Sequence, residues 1–195
     1  MTITRTFLLV AQSRPGSVTL AAVLQLLLAA TFVVMPTVAF LYGARAQAAA
    51  EAQVARQGFP ADVLARNHVN FGEGAVGLLL AVAIALGLVV LAVLNLAGNP
   101  AGRIGSWILQ PLLVLAGVLI LSRQVFTARF LTSAFKNSGD ATLAGINVKA
   151  FVDAAADAYP AWFPYVVSAR FVLATLGSLL IVILLAVPSA NAYFR

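Results

Sequence analysis

The stretch GAVGLLLAVAIALGLVVLAVLNLA, Gly74–Ala97, contains no Asp, Glu, Lys or Arg. A bilayer hydrocarbon core about 30 Å thick is crossed by about 20 helical residues at 1.5 Å rise, so this stretch predicts a transmembrane helix. Three further runs, Ser17–Tyr42, Ile104–Leu121 and Phe171–Val187, are equally free of charge and meet that length with small extensions. The expected fold is an all-α integral membrane protein, a four-transmembrane-helix bundle with helical extracytoplasmic loops. Spans are expected at about 17–42, 74–97, 104–122 and 167–188, and loops at about 43–73 and 123–166. Neither loop is long enough for a separate soluble fold, so residues 1–195 are read as one domain.

Composition agrees with the runs. The chain is 62% hydrophobic and 9% charged with a mean hydropathy of +1.00, against about 25% charged residues in a soluble domain. The formal charge of +6 comes from cations scattered singly at span edges, without a basic cluster. Juxtamembrane Lys and Arg facing lipid headgroups account for it, so membrane lipids are expected partners and nucleic acid is not. Cysteine is absent, which excludes thiol catalysis, Cys-based metal sites and disulfides. Lys occurs only at Lys136 and Lys149, amid abundant Arg, Ala, Gly and Val. That bias is of the kind GC-rich actinobacterial genomes encode, and it suggests a bacterial cytoplasmic membrane.

Arg5 and Arg14 precede an apolar stretch ending at Ala44-Arg45-Ala46, which imitates a signal-peptidase site. A secretory apolar region runs about 7–15 residues, and this one is far longer, so a retained first helix is expected, with Pro36 as a kink site. All acids fall in the two long loops, at Glu51, Asp62, Glu73, Asp140, Asp153 and Asp157, whereas the ends and the short connection carry Arg5, Arg14, Arg103 and Arg195. Short positive segments stay cytoplasmic, so both termini are placed inside and both long loops outside. Gly98-Asn99-Pro100-Ala101-Gly102 is dense in turn residues and forces spans two and three into an antiparallel hairpin.

The first loop is expected to begin as a helical extension over Ala46–Arg56, with Gly58 beyond its end, followed by a turn in which Asp62 and Arg66 pair. In the second loop, helix three is expected to run on through Arg123 and Arg129 to Phe135. Asn147 should then cap an amphipathic helix with Val148, Phe151, Val152 and Ala155 on one face and Lys149, Asp153 and Asp157 on the other. Before span four come Tyr159, Trp162, Phe163 and Tyr165, punctuated by Pro160 and Pro164. With Arg170 they form either an interfacial aromatic belt or a surface for a protein or lipid partner.

Gly77, Ala81 and Ala85 recur every four residues on span two and predict close helix packing. Gln25, Asn95 and Gln110 are the polar groups in or near the spans, and interhelical hydrogen bonding is their expected role. No ionisable residue lies within the four runs, which disfavours ion and proton pathways. His68 is the only histidine, so a two-histidine zinc motif and bis-histidine haem ligation are impossible within one chain. The best polar constellation is His68 with Glu73, Asn67 and Asn70 at the outer mouth of span two. No catalytic residue, metal or cofactor is assigned.

These features favour a non-enzymatic membrane subunit or accessory factor of a larger complex, joined to a protein partner or to copies of itself. The alternative is a carrier or channel for a neutral or lipidic substrate, and a membrane enzyme ranks third.

Overall fold

The computed structural model describes residues 14–195, so Arg5 lies outside the described residues. The fold is helical throughout, and four helices are long and apolar enough to cross a membrane. They are α1 (Gly16–Arg56), α3 (Ala75–Leu96), α4 (Pro100–Val125) and α8 (Phe163–Ala186). Five shorter helices complete the described residues: α2 (Val63–Arg66), α5 (Thr127–Lys136), α6 (Ala141–Gly145), α7 (Val148–Asp157) and α9 (Pro188–Tyr193).

No Gly or Pro occurs between Ala44 and Gln57, and α1 therefore continues without a break well beyond its apolar run. It ends where Gly58 takes a left-handed backbone, φ +85°, a conformation that costs glycine little. The rise of α1 lets it serve two layers. Its lower part packs in the bundle and its upper part forms the floor of a cap.

The cap has its own core. Ala46, Ala50 and Val54 of α1 meet Val63 and Leu64 of α2, Phe135 of α5, Leu143 of α6 and Val148, Phe151 and Ala155 of α7. Asn147 caps α7 by accepting from the Ala150 N–H at 3.2 Å, and Asp140 caps α6 by accepting from the Thr142 N–H at 2.7 Å. Lys149 and Asp153 face solvent and pair at 2.5 Å, so the apolar face of α7 lies on α1. All six acids of the chain sit in this layer or at its border with the bundle.

Below the cap, α1 and α3 pack through Leu28, Ala29 and Phe32 against Ala81, Ala85 and Leu88. The α3–α4 hairpin is set by Gly98 at φ +70° and by Asn99, which accepts from the Ala101 N–H at 2.9 Å ahead of Pro100. A Cβ on Gly102 would come within 2.7 Å of the Asn95 nitrogen, which is the closeness the hairpin demands. Val18 and Ala21 close this end against Ile181, Leu185, Ala190 and Phe194. Arg103 donates to Asn191 and lies 4.3 Å from the Trp107 ring centroid.

Helix three does not run unbroken to Phe135. It passes through a π-helical turn at Gly117–Leu121 and stops at Val125, and Phe126 breaks the geometry at φ −109°, ψ 32° before α5 begins. A second π-helical turn, Leu173–Gly177, interrupts α8. The two turns touch, since a Cβ on Gly117 would stand 2.8 Å from the Thr175 methyl.

Candidate functional site

Where the cap meets the bundle, the chain between α2 and α3 forms one wall of a cleft. Its second residue, His68, has a left-handed backbone at φ +55°, uncommon for a residue with a Cβ. Asn67 donates to the Val63 carbonyl at 2.8 Å, and Asn70 accepts from the Gly72 N–H at 2.7 Å. Each Asn side chain thus shapes its own backbone. Gln47 of α1 fixes the segment from behind: its amide oxygen accepts from the Phe71 N–H at 3.2 Å while its nitrogen donates to Glu51 at 2.7 Å. The Tyr159 hydroxyl donates to the Phe71 carbonyl from the other side. Gly43 and Gly72 then approach so closely that a Cβ on Gly43 would overlap the Gly72 Cα.

The cleft encloses about 710 Å³. Met35, Pro36 and Ala39 of α1 line its lower side, Asn67 to Glu73 one wall, Gln124, Val125, Thr127, Ala128 and Leu131 another, and Tyr159, Phe163 and Arg170 a third. Tyr159 and Phe163 are stacked with ring centroids 4.6 Å apart, making a flat aromatic surface. Burial and the nearby Glu73 carboxylate, in that order, raise the Tyr159 hydroxyl above its ordinary pKa, so it stays a hydrogen-bond donor.

Arg170, Glu73 and Asp153 bring charge to the cleft, and of these only Asp153 is in an ion pair among the described residues, with Lys149. The guanidinium carbon of Arg170 lies 4.2 Å from the Phe32 ring centroid, and one terminal nitrogen lies 3.7 Å from the Met35 sulfur. Its Nε is buried without a partner. Among the described residues no carboxylate forms an ion pair with Arg170 within 4 Å, although the Glu73 charge acts on it through space. The ion pairs among the described residues are Arg66–Asp62 at 2.6 Å and Lys149–Asp153 at 2.5 Å, both exposed. Glu73 folds back over Gly77, its carboxylate occupying the space a Cβ there would need. This puts the anion at the N-terminal end of α3, where free amides and the helix dipole favour it.

The residues singled out in the sequence thus divide. Asn67, His68, Asn70 and Glu73 come together with Tyr159, Phe163 and Arg170 around one cleft. Trp162 and Tyr165 lie outside it, 47% and 77% exposed. Ala81 and Ala85 pack in the α1–α3 seam, whereas Gly77 accommodates a carboxylate in place of a helix. Gln25 and Asn95 lie at the far end of the bundle, where Gln25 donates to Ser106 at 2.9 Å and Asn95 to Gln25 at 3.1 Å. Gln110 is fully buried with neither amide atom partnered.

Sequence reasoning did not single out Gln47, Met35 or Gln124. Gln47 had the faint signal of one polar residue in an Ala-rich stretch, and the other two had none.

The lining combines an unpaired cation, a carboxylate, amide side chains, an aromatic surface and an apolar lower side. Such a set can hold a molecule with a polar head and an apolar body. It gathers no metal-binding group: among the described residues no three His, Cys, Asp or Glu side chains cluster. Comparison with protein-family models, with curated proteins and with solved structures finds no match for this chain.

Proposed function

We propose that the chain is a multi-pass membrane protein that binds an amphipathic, lipid-like molecule in the cleft beneath its cap, as a carrier or receptor and without covalent chemistry. The observation that carries this reading is the cleft itself. Its polar wall belongs to the cap and its apolar side to helices with membrane-spanning character, so a ligand there would straddle the two media.

The surface around the bundle supports membrane insertion. Val76, Leu79 and Leu80 of α3 are 80%, 70% and 61% exposed, and Ile108, Leu112 and Leu115 of α4 are similarly bare. A water-soluble monomer rarely carries so continuous an apolar surface. On this reading the cap lies on one side of the membrane and the hairpin turn and carboxy terminus on the other.

The accessory-subunit reading retains one specific support, the outward Trp162 and Tyr165, which offer aromatic anchors to a neighbouring protein. The cleft ranks the binding reading above it, because a purely structural subunit has no use for an open cavity with an unpaired cation.

Gentle-detergent extraction and native mass spectrometry test the proposal. One amphiphile should accompany each wild-type chain, and Ala39→Trp, which fills the cleft from α1, should remove it. Wild-type protein without any bound amphiphile, or equal retention by the variant, would overturn the reading.

A further inference from the structure

Arg170 and Glu73 are of opposite sign and act on each other through space, but no ion pair within 4 Å joins them. Resting on the cleft-binding reading, we propose that the bound molecule has a zwitterionic headgroup, of the phosphate–ammonium type found in phospholipids. Its anionic group lies on the Arg170 guanidinium, and its cationic group lies beside the Glu73 carboxylate and the stacked rings of Tyr159 and Phe163.

The argument begins with Arg170. A guanidinium offers five N–H donors and, when removed from water, requires acceptors or a counter-ion. Here the side chain is partly buried, with a ring face and a thioether, both weak partners, and its buried Nε has none. A phosphate supplies bidentate, charge-assisted acceptors matched to that fork.

The carboxylates decide the rest. Asp153 also reaches the cleft, but Lys149 holds it at 2.5 Å. Glu73 forms no ion pair within 4 Å among the described residues, and it accepts no hydrogen bond from Arg170, whose charge it meets only through space. A purely anionic ligand would therefore meet repulsion from Glu73. A purely cationic one would leave Arg170 unpaired, and an uncharged one would satisfy neither.

A headgroup with both charges completes both sites at once. The Tyr159–Phe163 pair adds a π surface against which an ammonium is favoured.

The test uses delipidated full-length protein in maltoside micelles, titrated with phosphatidylethanolamine, phosphatidylglycerol or diacylglycerol and read by native mass spectrometry. Phosphatidylethanolamine should bind about tenfold more tightly than either of the others. Arg170→Gln should lower that affinity about tenfold, with Arg170→Lys keeping part of it. Glu73→Gln should bring phosphatidylglycerol level with phosphatidylethanolamine.

Thermal unfolding confirms that each variant is folded. Should either Gln variant unfold, Glu73→Asp and Arg170→Lys carry the same comparison with smaller shifts. Equal wild-type affinity for phosphatidylglycerol, or for diacylglycerol, would overturn the zwitterion while leaving the cleft reading standing. Failure of all three amphiphiles to bind would overturn both.

Discussion

Tyr159 ties the cap to the cleft wall through a hydroxyl that is half-buried, close to Glu73 and bonded to the Phe71 carbonyl. Removing it in Tyr159→Phe should cost about 1 kcal/mol, read by thermal unfolding in detergent, because the Phe71 carbonyl loses its donor. The raised pKa also has a sign. The unfolded chain ionises this phenol near pH 10 and the folded chain does so later, so its stabilisation is complete below that value. It is lost as pH rises through the folded value. Tyr159→Phe should accordingly flatten the alkaline limb of stability, and an unchanged limb would contradict the role. His68 invites a second comparison, since its backbone sits where a Cβ is unfavourable. His68→Gly should be more stable than His68→Ala by about 1 kcal/mol. The grouping of His68 with Glu73, Asn67 and Asn70 was legible because those residues are close in sequence. Their convergence with Arg170 was not, because only tertiary packing of α8 on α1 brings that side chain to the same cleft.

At the scale of elements, caps and periodicity read well. Asn147 announces α7, and the spacing of Val148, Phe151 and Ala155 announces its buried face, which the structure lays on α1. The amides of Phe151–Ala155 should exchange slowly in purified protein, and immediate full exchange would show that this face is undocked. The break at Phe126 had no comparable signal. The stretch from Ser122 to Phe135 has neither Gly nor Pro, and the turn follows from the touching π-helical segments and from α5 packing on α7. Polar residues within the bundle were visible as exceptions in apolar runs, but their partners were not. Gln25 and Asn95 bond with Ser106, whereas Gln110 has neither amide atom satisfied. These two cases should respond oppositely to the same change. Gln110→Leu should stabilise the bundle by about 1–3 kcal/mol by removing an unsatisfied buried amide. Gln25→Leu should destabilise it by about 1 kcal/mol by removing the hydrogen bond Ser106 accepts from Gln25 and the one Asn95 donates to it.

For the whole molecule, the four apolar runs and the Gly98–Gly102 connection were enough to give the four long apolar helices and the antiparallel hairpin. Hydrophobicity over a membrane thickness is a property of sequence alone. The cap was legible only in parts, because its core joins α1 to segments as distant as Phe151 and Ala155, and no local pattern encodes that pairing. The segregation of charge persists in three dimensions: the acids lie at the cap end, while Arg103 and Arg195 lie at the other. The proposed lipid ligand depends on a chain that crosses a bilayer four times with both long connections on one side. Since the chain has no cysteine of its own, single substitutions report position without background. In intact cells an impermeant maleimide should label Ser138→Cys, at the end of α5, and should label Ala101→Cys, at the hairpin turn, only after permeabilisation. Labelling of both positions in intact cells, or of Ala101→Cys alone, would contradict the account.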